Sequence, residues 1–291
     1  MDTPVSEHFD VDGGRIHALA WGSGPRVAAA LHGITANAMS WAAVARHLPD
    51  DWRLVALDMR GRGHSRDLPG PFGIDDLARD ARDVVTATGA EVLAGHSLGA
   101  YVAVGVDHMF PDTVGRLLLV DGGLALPTPP GVDADVVLDA VVGPMLERLR
   151  ATYADDDAYV DFFRAHPAMG PYWSDDFDAY ARYDAISTPD GVRARAHEDA
   201  VRTSGRELVL RSDEIAAAVA SLSVATDLLV APRGMLDQPG GMLPEETVDA
   251  AAAASPRLTV TRVADANHYT VLVGDDAARQ VAAALVGQRL L

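Results

Sequence analysis

The sequence predicts an α/β fold: a mostly parallel, eight-stranded open sheet with helices on both faces and an inserted helical unit. Three observations carry this reading. Short, continuous apolar runs recur at 26–31, 52–57, 116–120 and 226–231, as in strands buried on both faces. They alternate with segments whose apolar residues follow helical spacing, the signature of crossover helices. One strand-to-helix junction reads Gly95-His96-Ser97-Leu98-Gly99, a glycine-flanked serine suited to a very sharp turn.

The elements follow in order. Runs at 5–11 and 15–21 flank Asp12-Gly13-Gly14, a hairpin signal. The strand 26–31 is followed by helical spacing over 39–48, on Trp41, Val44, Ala45 and Leu48. Strand 52–57 precedes an amphipathic helix over 74–86, with Ile74, Leu77, Ala81, Val84 and Val85 on one face. Strand 91–94 leads into the serine turn and a helix to about residue 109, and strand 116–120 follows. Beyond a long gap come strand 226–231, helix 244–254, strand 258–263 and helix 275–285. Two antiparallel strands followed by six parallel ones account for this pattern, with no internal repeats.

The gap divides the chain. Residues 1–123 and 225–291 form the predicted core, and 124–224 the insertion. It opens on Leu126-Pro127-Thr128-Pro129-Pro130-Gly131, a stiff linker. Nine of the 17 aromatic residues fall between Tyr153 and Tyr183, among weak helical patterns. They would build the small core of the insertion, and an inner subset would close over an apolar ligand. Phe162 and Trp173 are the first choices for that inner face.

Composition removes several chemistries. The chain has 291 residues, enough to bury a sizeable core with an insertion. With no cysteine, disulfides, thiolate catalysis and cysteine-ligated metals are excluded. No lysine occurs, so all 24 basic residues are arginine and Schiff-base chemistry is excluded. A formal charge of −18 opposes binding to nucleic acid or an anionic membrane surface. No signal-peptide pattern and no membrane-length apolar run are visible, which predicts a cytoplasmic protein.

A serine hydroxyl becomes a nucleophile when a base lies within hydrogen-bond reach and a carboxylate orients that base. On a sharp turn after a strand, the Ser97 hydroxyl would stand clear of the backbone, and the following helix would point free N–H groups at the attacked oxygen. In an open parallel sheet such groups collect at the carboxyl ends of strands. His268 follows strand 258–263 by a short loop, which makes it the candidate base. Asp237, after strand 226–231, is the favoured acid. Asp121, directly after strand 116–120, is the alternative. Asp265 lies too near His268 in sequence to be favoured. Oxyanion donors would be the amides of Leu98 and of Ile34, the latter in Leu31-His32-Gly33-Ile34.

These segments together resemble the α/β-hydrolase fold superfamily, in its capped, esterase-like branch. The resemblance rests on His32-Gly33, on Asp58-Met59-Arg60-Gly61-Arg62-Gly63-His64-Ser65, on the serine turn, on Gly234-Met235-Leu236-Asp237 and on Asn267-His268-Tyr269. It covers nearly the whole chain. It implies a structural role for His32, His64 and His96. Tyr269 is a candidate for the substrate pocket, and no metal or organic cofactor is expected, since backbone N–H groups would polarise the attacked carbonyl. The loop carrying Asp237 is longer and richer in Pro and Gly than the family's usual form, which keeps Asp121 in play. Serine at 97 argues against the branches that use aspartate there. The implied activity is hydrolysis of a small-to-medium, apolar carboxylic ester through an acyl-enzyme. A C–C bond hydrolase, thioesterase or lactonase would use the same residues. A ligand-binding protein on the same fold is the non-enzymatic alternative.

Overall fold

Helices cover both faces of a single eight-stranded sheet in the computed structural model, which describes residues 3–127, 131 and 133–288. Strands β1 (Val5–Val11), β2 (Gly14–Trp21) and β3 (Arg26–Leu31) precede helix α1 (Ala42–Arg46). Strand β4 (Trp52–Leu57) leads to α2 (Ile74–Thr88), and β5 (Val92–His96) to α3 (Leu98–Met109) and β6 (Arg116–Val120). Between β6 and the next strand of this sheet lie α4 (Ala134–Arg150), α5 (Asp156–Arg164), α6 (Asp175–Asp184), a hairpin of β7 (Ala185–Thr188) and β8 (Gly191–Ala194), α7 (Glu198–Leu210) and α8 (Ser212–Ala220). The chain ends with β9 (Ala225–Val230), α9 (Glu245–Ala254), β10 (Leu258–Arg262), α10 (Thr270–Val273) and α11 (Asp275–Leu285).

The sheet order is β1-β2-β4-β3-β5-β6-β9-β10. Only β2 runs against its neighbours, so β1 points the same way as the parallel strands. The first two strands thus form the antiparallel hairpin expected from Asp12-Gly13-Gly14, and the remaining six strands are mutually parallel. Alternate residues of each central strand feed opposite layers. Ala28 and Ala30 of β3 and Leu118 and Val120 of β6 join one core cluster; Ala29, Leu31, Leu117 and Leu119 join the other. Small side chains on β3 let the helices sit close to the sheet.

The insertion differs from its sequence-based outline in two ways. The β7–β8 hairpin was not foreseen, because four-residue strands are too short to show periodicity. Helix α8 packs Ile215, Ala218 and Val219 into the same core layer as α3, so it covers the sheet instead of capping it. The helical spacing at 39–48 resolves into a 3₁₀ turn, Ala38–Trp41, followed by α1. Of the proline-rich link, Thr128, Pro129 and Pro130 lie outside the described residues, as do Met1 and Asp2 at the N-terminus. No helix among the described residues is long and apolar enough to cross a membrane.

The turn from β5 to α3 depends on glycine. A Cβ on Gly95 would overlap the Gly99 carbonyl, and a Cβ on Gly99 would overlap the Leu31 carbonyl of β3. Backbone on both sides leaves no flexible group to move aside. Gly99→Ala should therefore cost more than the ~1–3 kcal/mol of ordinary core overpacking. A urea midpoint within error of the parent's would show that β3 and α3 can part more easily than this packing implies.

Candidate active site

Ser97 sits between β5 and α3 with φ 52° and ψ −120°, a strained backbone conformation for a residue with a side chain. Its amide donates to the Val120 carbonyl of β6 (3.0 Å), and the Gly99 amide donates to the His32 carbonyl after β3 (3.1 Å). The turn is thus pinned to both neighbouring strands. The serine hydroxyl lies 3.1 Å from Nε2 of His268, and Nδ1 of His268 lies 2.7 Å from Oδ2 of Asp121. With Nδ1–H donating to the carboxylate, Nε2 is left as an acceptor for the serine proton.

The carboxylate facing His268 is therefore Asp121, and the preference for Asp237 is corrected. Asp121 follows β6 directly, and β6 lies between β5 and β9. Its side chain is fully buried, its amide donates to the Leu229 carbonyl (2.8 Å), and its Oδ1 accepts from the Ala231 amide (3.1 Å). Asp237 lies out on the Pro- and Gly-rich loop after β9. Its carboxylate accepts from Arg233 Nε (2.7 Å), the Tyr172 hydroxyl (2.9 Å) and Asn267 Nδ2 (2.9 Å). Asn267 in turn accepts from the Tyr269 and Thr270 amides at the start of α10. Asp237 thus braces the loop that carries His268 without touching the imidazole. A sequence signal for Asp121 existed: it is the first residue after a strand and is followed by Gly122, where a Cβ would strike the Ser97 backbone.

Ile34 and Leu98 both border the serine, and neither amide has a hydrogen-bond acceptor among the described residues. His32 sets the first of these. Its Nδ1–H donates to the Gly33 carbonyl (2.7 Å), the far end of the peptide whose N–H belongs to Ile34. Its Nε2 accepts from the Met59 amide (3.0 Å), which settles the tautomer. Burial lowers the His32 pKa from 6.5 to about 4, so the ring is neutral at ordinary pH. His96 is likewise buried and held well below its usual range by desolvation. Its Nε2–H donates to the His268 carbonyl (2.8 Å), and its Nδ1 has no partner.

A cavity of about 110 Å³ opens beside Ser97 and His268. Its apolar wall comes from α6 (Phe177 and Tyr180), from Met145, Leu208 and Val209 of the insertion, and from Met235, Met242, Tyr269 and Val273 of the core. Tyr269 is among the lining residues. Phe162 and Trp173 are not. Phe162 packs on Tyr153 and Phe163, and Trp173 stacks on Phe177 from behind. The sequence reading missed Phe177 and Tyr180 as lining residues, although their spacing of three places both on one helix face. Among the described residues, no arginine lines the cavity. Among the described residues, no group of three or more His, Asp or Glu could hold a metal ion.

A second serine–histidine–aspartate chain shows what connectivity alone lacks. His17 links Ser6 Oγ (3.2 Å from Nε2) to Asp58 Oδ2 (2.9 Å from Nδ1). Ser6 lies exposed on the edge strand β1, and Asp58 also accepts from the Ala38 and His64 amides and the Tyr183 hydroxyl. That network ties β1, β2 and the loop after β4 to α6.

The family model described as "Alpha/beta hydrolase family" matches residues 30–284. An esterase of Mycobacterium tuberculosis is 39% identical over 127 residues, 42% of this chain and 41% of that protein. The chain thus spans about two fifths of the length of that relative. N-formylmaleamate deformylase of Pseudomonas putida is 29% identical over 259 residues, 85% of this chain and 93% of that enzyme. Among solved structures, E-2-(acetamidomethylene)succinate hydrolase superposes with a TM-score of 0.80 at 22% identity, covering 97% of this chain and 99% of that one.

The neutral state of His32 has a thermodynamic consequence. Its folded pKa lies below its unfolded value, so the unfolded chain binds the proton more readily, and stability is lost as pH falls from about 6.5 towards 4. Between pH 7 and pH 5 this one group should remove about 2 kcal/mol. His32→Asn, which cannot titrate, should show a correspondingly shallower pH dependence in urea denaturation. Equal slopes for parent and variant would mean that His32 takes up no proton on unfolding.

Proposed function

Because the chain belongs to the α/β-hydrolase family, we propose that it is a serine hydrolase that cleaves small, uncharged carboxylic esters through an acyl-enzyme. The observation that carries this reading is the continuous hydrogen-bond chain Ser97–His268–Asp121 at the mouth of an apolar cavity. In the proposed reaction the Ser97 oxygen attacks the ester carbonyl as its proton passes to Nε2 of His268. Asp121 holds the imidazole in the required tautomer and stabilises its charged form. The developing oxyanion is received by the Ile34 and Leu98 amides, preorganised donors in a water-poor site. His268 then protonates the departing alcohol, and a water molecule activated by the same histidine releases the acid.

A fluorophosphonate should label Ser97 and abolish esterase activity. Asp121→Asn should reduce kcat by about 10⁴-fold, the scale for a lost tautomer-setting carboxylate. Asp237→Asn should leave most of kcat in place. A fully active Asp121→Asn beside an inactive Asp237→Asn would reverse the assignment of the acid.

The cavity supports the substrate class. Its volume approaches the scale of a ~150 Å³ apolar cavity that admits benzene, which suits an acyl chain of a few carbons. Among the described residues its lining offers no arginine to pair with a substrate carboxylate. An unpaired buried carboxylate costs several kcal/mol. p-Nitrophenyl butyrate should therefore exceed the corresponding hemisuccinate ester by at least ~100-fold in kcat/KM. Phe177→Ala should shift the preference between short and long acyl chains by about 1–3 kcal/mol. Equal turnover of the charged and uncharged esters would contradict this substrate class.

A further inference from the structure

Two consecutive carbonyls of the loop after β3 are each held by a buried arginine. Arg62 Nε–H donates to the Ile34 carbonyl (2.8 Å), and Arg148 Nη2–H donates to the Thr35 carbonyl (3.0 Å). Neither side chain is exposed. Both arginines also grip the insertion. Arg62 Nη2 reaches the Ala200 carbonyl (3.0 Å) and the Ser204 hydroxyl (2.7 Å) on α7. Arg148 belongs to α4 and contacts Tyr159 Oη (2.6 Å) and the buried carboxylate of Asp184.

We propose that Arg62 and Arg148 are positioning residues that couple the seating of the insertion to the aim of the Ile34 amide at the reacting carbonyl. The proposal rests on the acyl-transfer reading above. Ile34 lies between a peptide oriented by His32 and a carbonyl oriented by Arg62, so its amide direction is set from both ends. Arg62 is the more telling of the two. Its remaining contact is with the Arg60 carbonyl (2.9 Å), and all its partners among the described residues are neutral oxygens. A buried guanidinium without a carboxylate is costly, and burial draws its pKa down to about 9. An apolar side chain would fill the same space without that cost. The planar fork can join a loop carbonyl and a helix carbonyl at once, which a lysine ammonium would not do in the same geometry. If α7 or α4 moves away, the carbonyls of residues 34 and 35 lose their donors, and the oxyanion amide loses its fixed direction.

The test uses the full chain with p-nitrophenyl butyrate, n-butylboronic acid and 1-pentanol. The boronate forms a tetrahedral adduct on the serine and probes the oxyanion amides; the alcohol only fills the apolar cavity. Arg62→Met should lower kcat by about 10–100-fold, between the loss of a whole oxyanion donor and none, with KM little changed. Boronate affinity should fall in parallel while inhibition by pentanol persists. Ser204→Ala, which removes only one contact to α7, should move the boronate-to-pentanol ratio in the same direction by a smaller factor. An unchanged ratio in both variants overturns the proposal, as does an equal loss of both ligands. Should Arg62→Met fail to fold, Arg62→Lys and Ser204→Ala decide by the same ratio. A parent protein that neither binds the boronate nor reacts with a fluorophosphonate at Ser97 overturns the acyl-transfer reading and the proposal with it. A parent that does both, with an unmoved ratio in the variants, overturns the proposal alone.

Discussion

Backbone meets backbone around Ser97, and the geometry of the site follows from that contact. Gly95, Gly99 and Gly122 bring the ends of β3, β5 and β6 closer than any side chain would allow. The serine between them is held in a strained conformation that lifts its hydroxyl out of the turn. The same closeness puts Asp121, one residue beyond β6, within one imidazole of the serine. Strain at a single residue is sustainable because the Val120 and His32 carbonyls pin the turn from both sides.

Around this centre the protein uses neutral histidines as struts. His32 and His96 are buried and uncharged, and each spends a ring nitrogen on a backbone carbonyl that shapes the site. Asp58 does comparable work further out, gathering His17, Tyr183 and two backbone amides onto one carboxylate. Such buried polar groups are tolerated because they are hydrogen-bonded, and their directionality fixes loops that apolar packing would leave loose.

The insertion is joined to the core by polar anchors as well as by its aromatic layer. Arg46 makes a bidentate pair with Asp176 of α6 (2.9 and 2.8 Å), and Asn37 reaches the Tyr180 carbonyl (3.4 Å). Between these anchors the aromatics divide into two populations. Tyr153, Tyr159, Phe162 and Phe163 pack edge-to-face on one another. Phe177 and Tyr180 turn towards the cavity.

The amino-acid sequence by itself determined the order of the core strands and helices, the serine turn and the histidine after β10, because each rests on local periodicity or on the steric needs of glycine. Only the tertiary structure decided which carboxylate meets His268 and which aromatics face the cavity. Asp121 and Asp237 both follow strands on the same sheet edge. What separates them is that Asp121 leaves its strand directly between β5 and β9, while Asp237 rides out on a loop into the reach of Arg233 and Tyr172. Phe162 and Phe177 are equally apolar and equally helical. Their roles differ because the rotation of α5 and α6 against the core is set by long-range packing, which no window of sequence contains.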